Sequence, residues 1–318
     1  MAYLAIAASS MVSAQIPETT LKQADSALQA GEADRALSLL APLPTAGPGA
    51  AEAQNLICRV RYTLEQWNAA VEACEQAVRL DASNSVDHMW LGRALGEKAG
   101  HASFFSAYTL GKRVRNEFET AVRLDPRNAG ALSDLGQFYK DAPGIVGGGI
   151  DKAEAVAAQL DNVDPAKAHE LRANIAAAHK DYGTAEREFR LAVASSKHPA
   201  EPWTVLANFY RSREQWNDMQ AAIRGCISAA AADKHSGVAL YDGAGVLLAA
   251  RREPALAAKM LEDYLASSSK TEEGPAFIAH IRLGQLKQQL GDNAGAQNEL
   301  AVAAALAHEY NPAQDLKH

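Results

Sequence analysis

The residues best placed to do chemistry in this chain are a glycine run, nine histidines, three cysteines and a set of arginines and amides at regular spacing. The run Pro143-Gly144-Ile145-Val146-Gly147-Gly148-Gly149 precedes a helical stretch, where free backbone N–H groups could receive a phosphate. Two features oppose that reading. Ile150 and Asp151 stand where a phosphate loop needs lysine and Ser/Thr, and no strand precedes the run, which also removes a dinucleotide fingerprint. Asp151 suits a helix N-cap and would repel an anion, so the expectation is a long turn docked on its neighbour. The histidines do not cluster: His169 and His179 lie ten apart, and neither HExxH nor CxxC occurs. No motif supports a Ser-His-Asp set. No catalytic or metal-binding residue is assigned, no cofactor is expected, and the chain reads as a non-enzyme.

The elements that must carry these residues are helices. The chain has 318 residues, 67 of them alanine, and only 6% aromatic. Alanine is the best helix former and fits where backbones cross closely, so the fold class is all-α. A β-sandwich or barrel would want more Val, Ile, Thr and aromatics. A net charge of −7 leaves nothing basic to neutralise phosphates, which excludes a nucleic-acid partner. No run approaches the roughly 18 to 20 apolar residues that cross a bilayer. Met1 to Ser13 is apolar and uncharged, and Val12-Ser13-Ala14 has the small-residue pattern of a signal-peptidase site. Residues 1–14 are therefore expected to be a signal peptide, with the mature chain starting at Gln15 in a bacterial periplasm. If that segment is not a signal, the protein stays in the cytoplasm.

An internal repeat organises the rest. Ala51 to Asn84 spans 34 residues and reads as helix, turn at Glu65-Gln66, and second helix from Trp67. Ala200 to Asp233 repeats the plan with Trp203, Leu206, Ala207 and Tyr210, then Trp216, Met219, Ile223 and Cys226. Phe277 to Tyr310 does so again with Leu283, Gly284, Ala296, Leu300 and Ala303. Asp125-Pro126-Arg127-Asn128 and Asp164-Pro165 supply inter-repeat linkers. This pattern of large and small residues resembles the tetratricopeptide repeat (TPR). The segments WLGRALGEKA and APGIVGGG are similar to stretches of exported bacterial repeat proteins, a likeness that carries no function. The resemblance implies a right-handed superhelical solenoid of about eight helical hairpins over 15–310. Its first repeat (17–50) is degenerate, repeats 85–128 and 129–165 are enlarged, and a polar tail occupies 311–318.

Each hairpin is too small to bury its own apolar face, so neighbours must stack. Small residues are expected where paired helices cross, at Cys58, Gly92, Gly136, Ala173, Ala207, Gly245 and Gly284. Leu40, Phe118, Phe189, Ile223, Leu261 and Leu300 are expected to fill the gaps to the next unit. Cys58 and Cys74 face one hairpin core, where small buried fillers are the favoured reading and pairing in an oxidising compartment the alternative.

Binding chemistry is expected on the concave face. One first-helix position recurs as Asp25, Arg59, Arg93, Gln137, Asn174, Asn208, Val246 and Gln285, with Asn55, Tyr62, Lys140 and Arg211 facing the same groove. Amides and guanidinium forks suit a peptide backbone and carboxylates, so a protein or peptide is the expected partner, its acidic end near Arg59 and Arg93. The family's carboxylate clamp uses such residues, and the set here matches it only in part. Beside the groove, Phe104, Phe105 and Tyr108 fall in an insertion. They are expected to pack on the Gly147, Gly148, Gly149 loop, the alternative being an apolar patch that grips a partner or assembles copies into an envelope structure. A third reading is a regulatory accessory to an enzyme in trans.

Overall fold

The computed structural model describes residues 15–311; the candidate signal segment and residues 312–318 of the tail lie outside them. The described residues form eight helical hairpins with no strand. In order these are α1 (Glu18–Gln29) with α2 (Ala33–Leu40), α3 (Ala50–Thr63) with α4 (Trp67–Leu80), and α5 (Ser85–Gly100) with α6 (Phe104–Leu124). Next come α7 (Ala129–Asp141) with α8 (Ile150–Leu160), α9 (Pro165–Ala178) with α10 (Tyr182–Ser195), and α11 (Ala200–Ser212) with α12 (Trp216–Ala232). The last are α13 (Gly237–Ala250) with α14 (Pro254–Ala266) and α15 (Ala276–Gln289) with α16 (Asn293–Leu306). Local sequence starts several of them: Asn84, Asn128 and Asp164 each accept a first-turn N–H, and Pro165 opens α9 where its missing donor costs nothing. Six hairpin turns contain a left-handed residue, at Gly31, Glu65, Lys180, Glu214, Arg251 and Gly291. A seventh, Gly147, lies in the turn of the enlarged fourth hairpin, and the turn of the enlarged third hairpin has none.

Crossings follow the expected pattern, with one slip. A Cβ on Gly92 would lie 2.5 Å from the Phe118 ring, and Ala173 and Ala207 have no exposed surface. In the seventh hairpin the crossing residue is Ala244, not Gly245, because α13 begins at Gly237. The same shift buries Val246 and removes it from the inner face. Leu300, expected to fill a gap, is 45% exposed. It rests beside Gly284 of its own hairpin. Cys58 and Cys74 form a disulfide with Cα atoms 5.1 Å apart, which corrects the favoured reading of them as unpaired fillers.

The ten extra residues of the third hairpin lengthen its helices: α6 runs 21 residues, leaving a three-residue turn at 101–103. The expectation that its aromatics pack on the glycine loop fails. Gly111 and Arg115, one to three turns further along α6, meet that loop at Val146 and Gly147, while Phe104 and Phe105 remain in solvent. The loop's own N–H groups are spent internally: Gly147 donates to Gly144, Gly148 to Pro143 and Gly149 to Tyr139. That leaves no nest for an anion. Gly149, not Asp151, is the N-cap of α8.

The largest departure from an open groove is that the solenoid closes. The hydrophobic core of the first hairpins, including Leu21, Leu28, Leu40 and Leu56, is continuous with Phe277, Ala303 and Ala307 of the last. A Cβ on Gly31 would lie 2.3 Å from the Ala276 nitrogen, so only glycine admits the last hairpin here. Polar contacts fasten the seam. Arg59 forks onto Glu272 at 2.6 to 3.1 Å, Gln29 and Glu272 exchange two hydrogen bonds, Arg61 pairs with Glu309, and Tyr310 donates to Glu65.

Candidate functional site

Closure converts the groove into a lumen. The central cavity has a volume of about 1190 Å³ and is walled by α3, α5, α6 and α7 on one side and by Tyr241, Arg282 and the α14–α15 loop on the other. Small-molecule pockets span roughly 300 to 1,000 Å³, so the space suits a peptide segment better than a metabolite. An aromatic corner forms at its rim. Tyr62 meets Trp67 and Trp90 edge-on at 5.3 and 5.4 Å, and His101 stacks on Trp67. The Tyr62 hydroxyl donates to Glu97, and burial followed by the Glu97 charge pushes its pKa up.

The predicted ladder separates into parts. Arg93 lines the cavity, lies over the Trp90 ring at 4.7 Å and is held by Asp134 at 2.6 Å. Arg59 is occupied by Glu272 and by Asp25 at 3.1 Å. Gln137 lines the cavity but donates to Asp141, which also takes Lys140. Asn55 is buried, and Asp87 beside it is lifted to about 6 by burial and then by Asp81. Asn174 is half-buried, and Asn208 is exposed and accepts from Arg211 at 2.9 Å. The structure thus brings Tyr62, Arg93 and Gln137 to the cavity, with Arg59 at its seam. It gives both arginines carboxylate partners from this chain, leaving neither guanidinium open for a ligand's acidic end.

What sequence reasoning missed is an acidic cluster that reaches the cavity wall at Glu273. Glu170 (α9), Glu201 (α11), Asp242 (α13) and Glu273 (α14–α15 loop) lie close enough that Glu201 raises the pKa of the other three. Burial is the larger cause in each, and it lifts Asp242 to about 7 against the opposing pull of Arg282. Glu273 reaches solvent and is still desolvated by the walls around it, as expected of a side chain inside a cup. Lys167 and Arg93 offset part of this charge. A signal for the loop carboxylates was present: the stretch between α14 and α15 is matched in length among inter-repeat linkers only by that between α2 and α3, and it carries Glu272-Glu273.

No family model matches the chain, and no curated protein matches it in sequence. Solved structures match in shape. TTC0263, a thermophilic TPR protein from Thermus thermophilus, is 19% identical with a TM-score of 0.51, over 60% of this chain and 97% of that one. A tetratricopeptide repeat protein from Parabacteroides merdae is 13% identical with a TM-score of 0.46, over 85% and 98% of the two chains. MamA is 20% identical with a TM-score of 0.41, over 54% and 93%. Among the described residues no helix is long and apolar enough to cross a membrane. Eight hairpins, small residues at their crossings and the likeness to TTC0263 lead to one conclusion: the chain has the tetratricopeptide-repeat fold.

Proposed function

We propose that the protein is a non-catalytic, exported scaffold that holds a cationic segment of a partner protein in its lumen. The observation that carries this reading is the acidic cluster that reaches the lumen at Glu273. Burial and then the charge of Glu201 hold Asp242 and Glu273 above the usual carboxylate range, and burial does the same for Glu170, while Arg59 and Arg93 are neutralised by Glu272 and Asp134. A lysine- or arginine-rich segment relieves that repulsion, and the Tyr62–Trp67–Trp90 corner offers aromatic surface to cations and apolar stems. Export is supported by the Cys58–Cys74 disulfide, which persists in oxidising compartments, together with the apolar leader.

The test is calorimetric titration with a Lys/Arg-rich peptide and an acidic peptide of equal length. The basic peptide is expected to bind and to release protons near pH 7, because a nearby cation lowers the Asp242 pKa. Asp242→Asn with Glu273→Gln should weaken it at least tenfold. Preference for the acidic peptide, or indifference to these substitutions, overturns the reading. Crosslinking from the native envelope would then identify the partner.

A further inference from the structure

The tip of the third hairpin carries a second surface. The chain has seven phenylalanines, and five lie buried or half-buried among the repeats. The other two, Phe104 and Phe105, are 74% and 83% exposed at the first turn of α6, their rings meeting edge to face at 5.7 Å. Tyr108 is exposed one turn on, with the Lys112 ammonium over its ring at 4.3 Å. On the adjoining hairpin turn, which packs on α6 through Val146 and Gly111, Ile145 is 64% exposed.

Charge is segregated at the same place. From Lys98 to Asn116 the sequence holds Lys98, Lys112, Arg113 and Arg115 and no acidic residue, in a chain whose net charge is −7. Arg113 is tied to Glu75 and Arg115 lies near Glu119, which leaves Lys112, about two turns along α6 from the phenylalanines, and the half-buried Lys98 near the end of α5 as the cations of this stretch. Protruding aromatic side chains with lysines behind them match the chemistry of a bilayer interface. There the rings enter the acyl boundary and the ammonium groups meet anionic headgroups.

We propose that this hairpin tip is a peripheral membrane-docking site, seating Phe104 and Phe105 in the interface of an anionic lipid surface. The site is separate from the lumen, so its failure would leave the binding reading above untouched. Co-sedimentation of the full chain with phosphatidylglycerol/phosphatidylcholine vesicles, and with phosphatidylcholine alone, tests it. The expected result is partitioning to the anionic vesicles that weakens with salt. Phe104→Ala with Phe105→Ala should reduce it at least tenfold, Lys98→Gln with Lys112→Gln should reduce it several-fold, and circular dichroism should be unchanged in both. A control at another exposed apolar position, Leu290→Ala, should leave partitioning intact. Three results overturn the proposal: no vesicle binding by the wild-type chain, equal binding by the double phenylalanine variant, or a wild-type dimer that this variant makes monomeric without any vesicle binding. The last would assign the patch to a second copy of this chain.

Discussion

Cys58 and Cys74 illustrate what a single residue pair adds to a repeat that already packs. The bond joins α3 to α4 across a crossing with no exposed surface, closing a loop of sequence separation 16, which corresponds to about 3 kcal/mol of stability in the chain-entropy treatment. Cys226 remains a thiol, buried and pushed up to about 12 by that burial. Thiol titration of the denatured chain should therefore count one group without reductant and three with it, and reduction should lower the unfolding temperature. Asp242 gives a pH signature. Its pKa near 7 when folded exceeds the ordinary value of about 3.9 for the unfolded chain, so the folded state holds the proton more tightly. That contribution is complete below pH ~4 and is lost as pH rises to about 7. Thermal unfolding across this range should show a decline that Asp242→Asn flattens; an identical slope in both proteins would contradict the assignment. Arg59 changes meaning as well. Removing its side chain orphans the largely buried Glu272 and should cost ~3 kcal/mol, a stability effect where sequence alone suggested a ligand contact.

At the scale of the helix pair, the sequence was legible wherever the reason lay within one hairpin. Gly92 opposite Phe118 is such a case, and Gly92→Leu should overpack the crossing by ~1–3 kcal/mol, seen as a lower denaturation midpoint. The left-handed turn is another. Lys180 sits there with φ 63°, so Lys180→Gly should stabilise by up to ~1 kcal/mol in the same measurement. Legibility failed where spacing drifted or partners were distant. The linker before α13 gives no Pro or Asn-cap signal to fix its register, hence the one-residue slip to Ala244. The aromatics Phe104 and Phe105 were read by composition as packing material, but lengthening α5 and α6 carried them past the adjoining loop. The charge balance of the lumen was illegible for a different reason. Glu272 meets Arg59 across 213 residues, a pairing that no local pattern encodes.

At the scale of the whole molecule, the eight hairpins meet end to end. An open stack of eight has seven joints and two ends, and because each unit touches only its neighbours, it unzips from those ends. Here the joint between the last and first hairpins makes an eighth, and no unit is terminal. The consequence is thermodynamic: fraying, the cheapest motion of a repeat protein, has nowhere to begin. Amide exchange in α1 and α16 should then be as slow as in α9 and α11, a flat profile where an open array shows a gradient. Gly31→Val, which collides with Ala276, should restore the gradient and enlarge the radius of gyration in solution scattering. Closure also fixes the circumference of the lumen, so one glycine near the N-terminus, by admitting Ala276, sets the cross-section that a bound segment must match.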